Sequence, residues 1–376
     1  MKTSNVFFTI CFLLFLACTE SGDLSSDNES FVDNLKDLYP MLNAQAEILS
    51  VKSSILKPNW LIPLDNCESV IIIDDSDKTI KLMGSDGHIF SEVGGEGRGP
   101  NEFKSIINPI ISKNNRLYII DGILFRITEY EIENQKLNFV KTTQFSYPNN
   151  YHLSAIYIND YGRFGVFSKF ESYFKPDNQY LLYRLNEDFE IVEKLLVMPG
   201  NERPRYEFPE FTMFLDNIFA ERTYWDLEGE WFYFIRSHQA AVEAYNLKSG
   251  EVKKIDLKVG DRENSNEGII TFMKQKFAHI DDVVDGDQYW DVLEKSKLLP
   301  IFWNFSVSDN KILLPLFFPK QDKGIVILLD IKNDKVTLFN APHNLERLSI
   351  CNQTVYGINL ITVDGTRSIS SIHLEF

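Results

Sequence analysis

Cysteine is scarce in this chain, with 4 in 376 residues. No C-x-x-C pair and no zinc-type Cys/His cluster occurs, so a disulfide-dense miniprotein and a structural zinc fold are both excluded. Histidine is scarce as well. The 6 histidines (His88, His152, His238, His279, His343, His373) form no H-x-H or H-E-x-x-H pattern. There is no G-x-S-x-G elbow and no nucleophile with a base nearby in sequence. Positive charge is in deficit: 38 Lys+Arg against 54 Asp+Glu leave a net charge of −16. No basic run stands out either, so there is no excess to release counterions, and nucleic acid is not an expected partner.

What is present is apolar mass. Hydrophobic residues make up 44% and charged residues 24%, which suits a globular protein with a large core. Phe (29) and Tyr (16) are abundant and alanine is sparse, a balance that favours strands.

The N-terminus reads as an address. Lys2 precedes an apolar run from Val6 to Ala17, and polar residues follow at once. The run is shorter than the ~20 residues of a membrane-spanning helix and matches a secretory signal over 1–17. The boundary Phe15-Leu16-Ala17-Cys18 resembles a bacterial lipobox, with Phe15 where leucine is usual. It implies lipidation of Cys18 and membrane attachment through that lipid; simple signal cleavage with Cys18 incidental is the alternative. Residues 18–47 are expected to be a polar tether, with at most a short helix from Phe31, Leu35, Leu38 and Leu42, interrupted by Pro40. Glu20 and Asp23 sit where acidic residues resemble a surface-export signal in some bacteria.

From residue 48 onward the chain repeats one design: polar turn, apolar strand, turn, apolar strand. Val70, Leu117, Phe164, Trp231, Ile312 and Val355 are matching positions, separated by 47, 47, 67, 81 and 43 residues. Three of these steps equal one four-stranded propeller blade of ~40–50 residues. The expected fold is all-β, a six-bladed β-propeller over 48–376. The two long steps imply insertions, about 199–226 and about 262–299. The second carries two helical stripes, one through Ile269, Met273, Phe277 and Ile280 and one through Tyr289, Val292, Leu293 and Leu299. The stretch 48–64 is expected to supply the outer strand that the sixth blade lacks.

The run Val93-Gly94-Gly95-Glu96-Gly97-Arg98-Gly99-Pro100-Asn101-Glu102-Phe103, followed by Pro109 and Leu117-Tyr118-Ile119-Ile120-Asp121, resembles the NHL-type repeat. More closely, it resembles six-bladed propeller lipoproteins of Gram-negative gut-type bacteria. The resemblance implies an outer-membrane lipoprotein, periplasmic or surface-exposed, and leaves activity open.

Several residues could carry chemistry. The glycine loop leads into Pro100 and a strand, not a helix, so it is neither a Rossmann nor a P-loop fingerprint, and no cofactor is expected. It reads as an inter-blade turn, with Arg98 as a weak ligand-binding candidate. Asp74, Asp75, Asp77 and Asp121 sit at strand ends, where they could cap turns or ring the axis around Ca²⁺. The first insertion gathers Arg203, Arg205, Tyr206, Arg222 and Trp225, the types that anchor ligands and partners, though such a loop also needs aromatics for its own packing. Cys67 and Cys351 fall on the first and sixth blades, neighbours in a closed ring, and are either a disulfide or two buried thiols. The reading that emerges is a lipid-anchored cell-envelope binding or adaptor protein for a protein partner or a small carbohydrate-like ligand. The alternative is a metal-dependent hydrolase or lyase with acids around the axis.

Overall fold

The computed structural model describes residues 25–49, 55, 57–64, 66–112, 115–169, 178–203, 205–207, 212–214, 219–260, 299–317, 323–342, 345–359 and 368–376. The signal segment 1–17, Cys18, and the helical stripes expected within 262–299, apart from Leu299, lie outside these residues.

Six four-stranded antiparallel sheets follow one another along the chain. The first blade is β2 (Pro58–Pro63), β3 (Ser69–Asp74), β4 (Thr79–Gly84) and β5 (Ile89–Gly94). The second is β6 (Ile106–Ser112), β7 (Arg116–Asp121), β8 (Arg126–Glu133) and β9 (Lys136–Gln144). The third is β10 (Tyr151–Asn159), β11 (Gly162–Lys169), β12 (Gln179–Leu185) and β13 (Ile191–Pro199). A small hairpin follows, β14 (Arg205–Glu207) with β15 (Thr212–Phe214). The fourth blade is β16 (Thr223–Glu228), β17 (Trp231–Arg236), β18 (Ala241–Asn246) and β19 (Val252–Asp256). The fifth is β20 (Ser306–Ser308), β21 (Lys311–Pro315), β22 (Lys323–Asp330) and β23 (Lys335–Pro342). The sixth is β24 (Leu345–Cys351), β25 (Thr354–Asn359), β26 (Ser368–Glu375) and β1 (Asn43–Ile48), ordered β1-β26-β25-β24.

The six matching apolar positions all lie on the second strand of their blades. Both faces of these strands are covered by neighbouring blades, so β3 reads as an unbroken buried run, Ser69–Asp74. The core is accordingly a series of apolar clusters between adjacent blades.

Ring closure differs from the expectation. The outer strand of the sixth blade is Asn43–Ile48, not a segment of 48–64, and it pairs antiparallel with β26 from Asn43↔Glu375 to Ile48↔Ser370. Within 48–64 the strand is Pro58–Pro63, which opens the first blade as its innermost strand. The physical reason is burial: an outer strand has a solvated face and needs few apolar residues, whereas Trp60-Leu61-Ile62 belong near the axis. The expected tether is also shorter than 18–47, because α1 (Ser25–Leu38) is a full helix. Its Val32 and Leu35 enter the cluster between the fourth and fifth blades, and the backbone N–H of Lys258 donates to the Tyr39 hydroxyl at 2.7 Å. Pro40 does not interrupt this helix; it lies beyond its end.

The inner strands are stitched together by side chains, because their axis-facing edges carry backbone groups with no neighbouring strand to pair with. The Asn108 carboxamide donates to the Ile156 carbonyl at 2.8 Å and accepts from its N–H at 3.3 Å. Asn159 donates to the Gly229 carbonyl at 2.8 Å. Asp226 accepts from Val307 N–H at 2.9 Å. The Ser308 hydroxyl accepts from Ile350 N–H at 2.9 Å and donates to its carbonyl. Between the sixth and first blades the link is covalent. Cys67 and Cys351 form a disulfide with Cα atoms 5.6 Å apart.

The aspartates at strand ends act as turn caps. Asp74 Oδ1 accepts from Lys57 N–H at 3.0 Å and Ser76 N–H at 3.1 Å. Asp121 does the same one blade later, accepting from Lys104 N–H at 2.7 Å, Ile123 N–H at 3.0 Å and Leu124 N–H at 2.9 Å. Each carboxylate ties its own β-turn to the chain entering the blade. Asp77 caps Thr79 N–H at 3.0 Å, and Asp75 pairs with Lys78. Among the described residues no three His, Cys, Asp or Glu side chains gather as a metal site.

Candidate functional site

Strand alternation sorts the connections between two ends of the ring. Every connection from an outer strand to the next inner strand lies at one end. That end therefore carries the glycine loop and the described ends of both insertions, and is called the insertion end below. The disulfide, at the β2–β3 turn and the close of β24, lies at the opposite end.

The first insertion leaves and re-enters the ring through a closed neck. Glu202 N–H donates to the Glu221 carbonyl at 2.7 Å, and Glu221 N–H returns to Glu202 Oε2 at 3.1 Å. Thr223 N–H reaches Asn201 Oδ1 at 3.1 Å, and its hydroxyl reaches the Pro199 carbonyl at 2.8 Å. Arg222 and Ser237 exchange bonds: Ser237 N–H to the Arg222 carbonyl at 2.7 Å, Arg222 N–H to Ser237 Oγ at 2.9 Å. The Ser237 carbonyl also takes the N–H of Ile301 at 2.7 Å, so the return of the second insertion is fastened to the first.

Beside this neck, between the third and fourth blades, lies a cavity of about 590 Å³. Its charged residues are Glu202, Glu221 and Arg236, with Asn178 and Gln179 alongside and Met198 and Val197 as apolar wall. Glu221 and Arg236 form an ion pair. Burial pushes the Glu221 carboxyl up; Arg236 opposes this and Glu202 adds to it. Gly200 is dictated by crowding, since a Cβ there would sit 1.4 Å from Asn178 Oδ1. The site thus offers a guanidinium to a carboxylate and a carboxylate to a cation, within the ~300–1,000 Å³ of ordinary ligand sites.

The sequence candidates are distributed around this end. Burial, helped by the Arg203 charge, lowers the pKa of His152 on the inner strand β10, so these two side chains lie within electrostatic reach of each other. Arg222 lines a second, small cavity of about 60 Å³ with Tyr224, Ser237 and Trp303. Trp225 is packed between the third and fourth blades, 4.4 Å from the Tyr180 ring, and is not brought to the cavity. Arg205 and Tyr206 are on β14, and their side chains lie outside the described residues. Arg98 is exposed on the glycine loop between the first and second blades, away from the others, and its carbonyl is held by Arg126 at 3.2 Å. That loop is built as a turn: Gly94 has φ 96° and Glu102 Oε2 caps Gly99 N–H at 2.7 Å.

Glu202, Glu221 and Arg236 escaped the sequence reading. Two of them lie inside the insertion that drew attention, but aromatic and arginine content masked the glutamates. Arg236 ends a blade strand like any other. Asp226 escaped too. It is half-buried on the inner strand β16, and desolvation raises its carboxyl to about 7 against two backbone N–H bonds that oppose the rise.

These features define a class: a six-bladed β-propeller with a charged cavity beside its first insertion. No family model matches the chain, and no curated protein matches it. Solved structures share the fold. One is described as an exported protein of Bacteroides fragilis, with 11% identity, 89% of this chain and 96% of that chain covered, and a TM-score of 0.51. A member of the duf4221 family from Bacteroides vulgatus has 12% identity, 89% and 97% coverage, and a TM-score of 0.44. At 11% identity the first of these likenesses shows the fold alone. No helix among the described residues is long and apolar enough to cross a membrane.

Proposed function

We propose that this chain is a non-catalytic binding module of the bacterial cell envelope, anchored at the outer membrane by lipid on Cys18, that captures a small charged ligand at the insertion end. The cavity beside the insertion neck carries this reading. It brings one guanidinium and two carboxylates into a single concave site, which suits a zwitterion such as an amino acid or short peptide. Two further observations support the address. A disulfide suits an oxidising compartment, and the exported description of the Bacteroides fragilis neighbour agrees with it.

Thermal-shift titration with free amino acids and dipeptides tests the site. The Arg236→Met/Glu221→Gln variant removes the ion pair without stranding a buried charge. A stabilising probe should lose about tenfold or more in affinity there, the scale of one charge-assisted hydrogen bond. Equal stabilisation of both proteins, or none from the panel, contradicts the proposal.

A further inference from the structure

The opposite end holds a cavity that the reading above does not use. Turns of the first and second blades converge there around about 690 Å³. We propose that it is a second ligand site, independent of the first, that takes a neutral polyhydroxylated ligand of the saccharide class.

The floor is apolar and fixed. Leu64, Leu82 and Ile132 belong to the core between these two blades, and Phe90 packs on that core. The Phe90 ring lies so close over Gly84 that a Cβ there would meet it at 2.7 Å. Such a ring beside open space suits the C–H face of a sugar.

The walls are preorganised. Ser85 N–H donates to the Glu68 carbonyl at 3.0 Å, joining two turns of the first blade. Leu64 N–H bonds the Ser69 carbonyl at 2.9 Å, and Glu68 N–H bonds Asn66 Oδ1 at 3.1 Å. The same turn contains Cys67, whose disulfide pins it to the sixth blade. A ligand binding here would order little that is not already ordered.

The polar rim is selective. Among the described residues its charged members are Glu68 and Asp86, with no Lys, Arg or His in the lining, so anions are disfavoured. Asn115, Asn134 and Gln135 bring carboxamides that both donate and accept, as hydroxyl-rich ligands require.

Gln135 adds an independent signal. Asn134 and Gln135 are the two-residue turn between β8 and β9, with φ 51° and 59°. A turn with both residues at positive φ prefers Asn-Gly, and glutamine gains nothing there from the fold. The residue lines the cavity instead.

This makes the test discriminating. Asn134→Gly/Gln135→Gly deletes both carboxamides while keeping the turn. The purified full-length chain and this variant are titrated by saturation-transfer NMR with galactose, mannose, N-acetylglucosamine and cellobiose, with N-acetylneuraminic acid as the anionic arm and spermidine as the cationic arm. The expected result is binding of at least one neutral sugar, none of N-acetylneuraminic acid, and about a tenfold weaker sugar affinity in the variant. The variant's melting temperature should equal or exceed that of the wild type, so weaker binding would not reflect unfolding. No neutral sugar bound, binding unchanged in the variant, or tighter binding of N-acetylneuraminic acid or spermidine than of any sugar would each overturn the proposal.

Discussion

The two ends of this propeller are built by different means. At the insertion end the cavity is walled by an added segment, and its chemistry is ionic: Glu202, Glu221 and Arg236. At the opposite end the cavity is walled by the repeat's own short turns, and its chemistry is dominated by carboxamides and hydroxyls. The first depends on a neck of hydrogen bonds, the second on a disulfide that locks the β2–β3 turn to β24. A repeat scaffold can therefore acquire sites by insertion or by choice of turn residues, and only the former interrupts the repeat.

The largest expected effect concerns the insertion end. Asp74→Ala would remove the buried carboxylate whose Oδ2 lies 3.5 Å from Lys81 Nζ, leaving that buried ammonium only the half-exposed Asp77 carboxylate at 3.6 Å and the Thr79 hydroxyl, and would uncap two N–H groups. Breaking such a buried pair costs about 3–5 kcal/mol, read as a lower denaturant midpoint. At the opposite end, Cys67→Ser/Cys351→Ser would cost about 2–4 kcal/mol, the usual range for a native disulfide. Reductant should lower the midpoint of the wild type to match and leave the variant unmoved. An equal response of both proteins to reductant would break the contrast.

A third prediction lies near the axis. Asp226 holds its proton to about pH 7 when folded but would lose it near its ordinary value of 3.8 when unfolded. The folded state then binds more protons across that window, so this group's contribution to stability falls as pH rises from about 4 to about 7. The effect is on the order of 2–3 kcal/mol, since each tenfold difference in proton affinity between the two states is worth about 1.4 kcal/mol and solvent screening at this half-buried carboxyl removes part of the total. Asp226→Asn should flatten that part of the stability–pH curve, as seen by urea unfolding at stepped pH. A smaller effect is expected from Gly200→Ala. Crowding against Asn178 should cost about 1–3 kcal/mol, with loss of probe binding at the insertion end and none at the other.

The ring was legible in the sequence because every blade repeats a buried second strand, and Val70, Leu117, Phe164, Ile312 and Val355 recur near the start of it. The closing strand was not. Asn43–Ile48 reads NAQAEI, and only Ala44 is partly covered, so no apolar pattern betrays it. The stretch that drew the assignment, 48–64, contains Trp60-Leu61-Ile62, which are apolar for a different reason, their place beside the axis. The disulfide was legible only as one of two possibilities, because spacing along the chain does not give a Cα separation. The insertion-end cavity was legible as a region and not as residues: Asn178, Glu202 and Arg236 come from three separate stretches. The aspartates at strand ends carried either a capping or a metal-binding meaning, and hydrogen-bond geometry shows the caps.

The central claim is that the two ends are separate binding surfaces with different chemistry. Crossed titration tests it most directly: one amino-acid probe and one neutral sugar, each against Arg236→Met/Glu221→Gln and Asn134→Gly/Gln135→Gly. The account predicts that the first variant loses only the amino acid and the second loses only the sugar. Loss of both ligands in one variant, or of neither in both, would contradict it.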